Sequence, residues 1–61
     1  MKTKQLLIIT AGKLFTEHGY DSVTTRMIAE AADLKLGSIH YHFGSKEKLY
    51  IEVLRYAKQH K

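Results

Sequence analysis

The chain has neither proline nor cysteine. Without proline no helical run is broken by a missing backbone donor, and without cysteine no disulfide or thiolate-bound metal can hold the fold together. Sixty-one residues of this kind must be stabilised by helix packing alone. A domain of this size hides only about 60% of the surface that its unfolded form exposes, which leaves no room for a deep substrate chamber beside a core. Hydrophobic residues make up 44% of the chain, too many for a disordered tail. The longest wholly apolar run, residues 6–9, is far shorter than the ~20 residues that span a bilayer. Lys2 and Lys4 precede it, but no small-residue cleavage site follows, so the sequence predicts no signal peptide and a reducing, cytoplasmic setting.

There is no internal repeat and no linker-like stretch, and glycines supply the punctuation. Over residues 3–18, Leu7, Ile8, Ala11, Leu14 and Phe15 recur at steps of three and four, which places them on one side of a helix. His18 falls on the same stripe. Gly19 stands where a positive-φ residue would close that helix, and Tyr20 and Val23 are apolar groups in the connection. Ser22, Thr24 and Thr25 offer hydroxyl caps to a second helix over 25–32, with Ile28, Ala29 and Ala32 inward. A third runs over 36–43 with Ile39 and Phe43 inward, and Gly44 ends it. Ser45 then caps a fourth over 46–60, with Glu47 complementing the helix dipole. Leu49, Val53 and Tyr56 line one side of this last helix, with Tyr50, Leu54 and Ala57 adjacent. The predicted fold class is all-α.

The second and third helices are below the ~12 residues at which an isolated helix becomes stable in water, so they must form one packed unit. Ala29 lets their backbones cross closely, while Ile28, Leu34 and Ile39 fill the angle between them. That is helix-turn-helix patterning. Its turn favours a residue able to adopt a left-handed conformation, as Asp33 can.

With Ile39 and Phe43 facing inward, the rotation of about 100° per residue sends Gly37, Ser38 and Tyr41 outward. This face has no long aliphatic residue. Its glycine permits close backbone approach, and its hydroxyls can hydrogen-bond to base edges, which suits a DNA major groove about 12 Å wide. Thr25 and Arg26 lie in the first turn of the second helix, where a phosphate would pass. Lys46, in the first turn of the fourth, opposes the helix dipole and so calls for an anionic partner. His40 flanks the outer face and can donate to a phosphate even when neutral; His42 touches either the core edge or a phosphate.

Residues 24–32 (TTRMIAEAA) and 37–49 (GSIHYHFGSKEKL), with the spacing of Phe15, Gly19 and Tyr20, resemble the DNA-binding domain of TetR-family transcriptional regulators over about residues 5–54. The resemblance implies a three-helix, homeodomain-like helix-turn-helix core followed by the start of a fourth helix. It implies that Arg26, Leu36, Gly37, Ser38 and Tyr41 approach bases and that Thr25, His40 and Lys46 hold phosphates. It further implies a prokaryotic, nucleoid-associated repressor that binds a palindromic operator on double-stranded DNA as a homodimer. Dimerisation and a small-molecule effector would belong to a larger carboxyl-terminal domain that this chain is expected to lack. Two positions depart from the family pattern: His40 where tyrosine is usual, and Asp33 where glycine is usual.

Other readings of the same residues are blander. His40 and His42 diverge by about 200° on a helix, so they cannot chelate one ion, and no metal or other cofactor is expected. His18 is favoured at a helix carboxyl end by the dipole. Tyr20, Tyr50 and Tyr56 read as packing groups with wet hydroxyls. Lys2, Lys4, Lys58 and Lys61 read as solvated ends, although an amino-terminal basic arm could graze phosphates. Ser22, Ser38 and Ser45 lack a paired base with an orienting acid, so the chain is not read as an enzyme. The competing class is a helical interaction module or membrane-surface peptide that uses the basic first helix.

Overall fold

The computed structural model describes residues 2–59. Four helices are present there: α1 (Thr3–His18), α2 (Thr25–Ala31), α3 (Leu36–His42) and α4 (Lys46–Gln59). The expected last residue of the fourth helix, His60, and the expected solvated end at Lys61 lie outside the described residues. The second and third helices each end one residue before the predicted boundary. Ala32 and Phe43 cap them, donating their N–H groups back to Ile28 and Ile39 without continuing the helix.

Each boundary has a local cause. Gly19 closes α1 by donating to Phe15 O at 2.9 Å, with φ 86° and ψ 156°, a backbone region that only glycine reaches cheaply. Of the three hydroxyls offered to α2, Thr24 is the one that caps it, its Oγ1 accepting from Met27 N at 3.1 Å. Ser45 caps α4 in the same way, accepting from Lys48 N at 3.2 Å. Asp33 does take the left-handed conformation expected of it, at φ 58°. Leu34 N then reaches back to Ala29 O at 2.8 Å, which fixes the turn between α2 and α3.

α1 packs against α4 and α2, and α2 against α3. Leu7, Val23, Ile28, Ile39 and Leu49 are completely buried where these helices meet, with Ile8, Ala11, Phe15, Ala29, Ala32 and Phe43 around them. Burying each large member contributes about 1.5–3 kcal/mol, the main stabilising force in a chain this short. The Cα radius of gyration, 10.3 Å, is close to the ~10.5 Å of an independently folded domain of this length.

His18, placed on the buried stripe by periodicity, is exposed. Phe15 is the last buried residue of the stripe. Leu14, Val53, Tyr50 and Tyr56 are half-buried, whereas Leu54 and Ala57 are exposed, Ala57 along a groove between α1 and α4. Among the described residues no helix is long and apolar enough to cross a membrane.

Candidate nucleic-acid interface

α3 is anchored chiefly by its inner side. Ile39 is fully buried and Phe43 nearly so. Gly37 and Tyr41, each about 200° around the helix from Ile39, point away from the core. Tyr41 is 85% exposed, and among the described residues its one ring neighbour is His42, edge-on at 5.0 Å. A Cβ built on Gly37 would meet nothing within 4 Å, and its φ is not positive. Neither conformation nor packing within the chain requires glycine at this position. Ser38, also expected on the outer face, is half-buried. It stands about 100° from Ile39, on the flank rather than opposite. Leu36 is half-buried at the start of the helix.

The groups expected to face phosphates fall into three situations. Thr25 is half-buried in the first turn of α2, with Arg26 beside it exposed. His40 is exposed, with Nδ1 3.3 Å from the carbonyl oxygen of Gly44. A carbonyl can only accept, so Nδ1 carries the proton in that bond.

His42 is half-buried at the edge of a groove between α1, α3 and α4 that Lys4, Phe43, Lys48, Ile51 and Arg55 also line. Lys4 Nζ lies 5.9 Å from the Phe43 ring centroid. Glu52 offsets part of this positive charge through its ion pair with Arg55 at 3.6 Å, the one ion pair among the described residues. Sequence reasoning did not single out Lys48 or Arg55. Their convergence with Lys4 depends on α1 and α4 lying side by side, which no local pattern reports.

Lys46 differs most from expectation. Its ammonium is half-buried and donates to the carbonyls of Tyr20 at 2.8 Å and Val23 at 2.9 Å. It also lies 4.1 Å from the Tyr20 ring centroid. The partner that a cation needs at this end of a helix is therefore supplied by two backbone oxygens and a ring face, so its position alone gives no reason to invoke a phosphate. The ring belongs to an aromatic cluster also missed in the sequence, in which Phe15, Tyr20 and Tyr50 lie with centroids 4.7–5.6 Å apart.

The chain is 38% identical over 55 residues to the transcriptional repressor AcnR of Corynebacterium efficiens, covering 90% of this chain and 29% of that protein. It is 35% identical over 54 residues to the transcriptional regulator QacR of Staphylococcus aureus, covering 88% of this chain and 29% of that one. It is 42% identical over 53 residues to the probable acrEF/envCD operon repressor of Escherichia coli, covering 87% of this chain and 24% of that one. The chain thus spans less than a third of the length of these curated relatives. No solved structure gives a significant match. The family model for bacterial regulatory proteins of the tetR family matches residues 7–53, the stretch from the buried start of α1 to the middle of α4. The chain belongs to the tetR family.

Proposed function

We propose that this chain is the DNA-reading part of a transcriptional regulator, a repressor by analogy with the names its relatives carry. α3 enters the major groove, presenting Gly37 and Tyr41 to base edges with Leu36, Ser38 and Arg26 at the margins. Thr25, His40 and His42 meet the phosphates. The observation that carries this reading is the outer face of α3: Tyr41 is 85% exposed, and nothing approaches the place where Gly37 would carry a Cβ. A bulky aromatic left in water beside a bare backbone has no use in the fold, whereas both features suit a groove lined with donors and acceptors. The formal net charge of +4 favours association with a polyanion.

In the longer protein, a carboxyl-terminal domain pairs two such modules on a palindromic operator and receives a small-molecule effector, and the protein works in the cytoplasm at the nucleoid. Alone, the module binds one half-site weakly. Selection of bound duplexes from a random pool, followed by a salt titration on the selected sequence, tests the proposal. It predicts one enriched half-site and a steep fall in affinity with salt, about 0.9 in log–log slope for each phosphate neutralised. Recovery of no preferred sequence, or binding insensitive to salt, would refute it.

A further inference from the structure

Val23, one of the two carbonyl partners of Lys46, is fully buried and directly precedes the Thr24 cap and Thr25. Tyr20, the other partner, also accepts from Val23 N at 3.3 Å. Tyr20 packs in turn on Phe15 of α1 and Tyr50 of α4, with centroids 5.6 and 4.7 Å away. One cation on the first turn of α4 therefore ties down the connection between α1 and α2 where it delivers the chain to α2. We propose that Lys46 is a positioning residue, which acts on DNA through residues 19–24 by setting where Thr24, Thr25 and Arg26 stand, rather than by lending its charge to a phosphate. This inference rests on the DNA-binding reading above. A lysine serving only as surface charge would keep its ammonium in water, whereas here charge-assisted hydrogen bonds and an aromatic face cover it.

The test uses the 61-residue chain with three substitutions: Lys46→Met, which keeps most of the stem and removes the charge; Lys46→Arg, which keeps the charge and changes its shape; and Thr25→Val. Amide hydrogen exchange is read at Val23, bonded to Tyr20 O, and at Met27, bonded to the Thr24 cap. Duplex affinity is read across a salt series on a sequence selected from a random pool. Both Lys46 variants should speed exchange at these two amides, on the order of tenfold, and weaken binding while the log–log salt slope stays at the wild-type value. Thr25→Val should cost less affinity in the Lys46→Met background than in wild type, because Thr25 is already displaced there. A slope reduced by about 0.9 in Lys46→Met with exchange unchanged, or wild-type affinity in Lys46→Arg, would overturn the proposal. If Lys46→Met loses its helical circular dichroism, Lys46→Arg decides the matter alone. Failure of the wild-type chain to bind any duplex refutes the DNA-binding reading instead, and the exchange measurement then decides whether Lys46 holds the connection.

Discussion

Gly37→Ala separates what the fold needs from what a partner needs. In a helix interior, alanine is about 0.8–1.0 kcal/mol more favourable than glycine. Gly37 is the second residue of α3, where the gain should be roughly half of that, about 0.5 kcal/mol. Beyond the adjoining backbone of α3, no atom of the described residues stands within 4 Å of the added methyl and the local φ is not left-handed, so no packing or backbone penalty offsets the gain. For a domain of ~60 residues the expected rise in Tm is roughly 2–4 °C. Thermal denaturation followed by circular dichroism measures it. On a selected duplex the same variant should bind more weakly, on the order of tenfold or ~1.4 kcal/mol, because the methyl occupies the space through which the backbone approaches the bases. A stabilised protein with weakened binding is the signature. A lower Tm would show that the fold does use the glycine, and unchanged affinity would show that the outer face of α3 is not the surface that meets DNA.

Tyr41→Ala should leave stability within ~0.5 kcal/mol, since the side chain is 85% exposed, yet cut discrimination between selected and scrambled duplexes by about tenfold in competition assays. Asp33→Gly relieves an L-residue held at φ 58° and should raise the urea midpoint by the equivalent of ~0.5–1 kcal/mol at unchanged m-value; a lower midpoint would refute the strain argument.

The helix boundaries that a local rule sets were legible. Thr24 and Ser45 stand one residue before α2 and α4 and cap them, and Gly19 and Gly44 follow the ends of α1 and α3 with φ 86° and 92°. Asp33 was legible for the same reason, since only a short list of residues tolerates its conformation. What the sequence could not show depends on partners far away in the chain. Periodicity put His18 on the apolar stripe but carries no information about where the covering helices stop. The charge of Lys46 against the dipole calls for a partner, and the sequence does not say which group supplies one. The actual partners are the carbonyls of residues 20 and 23, more than twenty positions away. The convergence of Lys4, Lys48 and Arg55 around His42 escaped for the same reason.

α3 has seven residues, barely two turns, and this brevity separates its two tasks. On so short a helix the residue opposite Ile39 is Gly37 in one direction and Tyr41 in the other, about 200° away each time. Ile39 anchors the helix through complete burial, and the backbone bond from Leu34 to Ala29 sets its angle to α2, so neither support involves the outer pair. Under the proposed function, substitutions at 37 and 41 would therefore alter what is recognised at little cost to stability, whereas the flanking positions 38 and 40 are coupled to the fold through the partial burial of Ser38 and the bond of His40 to Gly44. Recognition would then vary most freely along the single line that joins residues 37 and 41, which the packing of Ile39 and the turn at Leu34 hold in place.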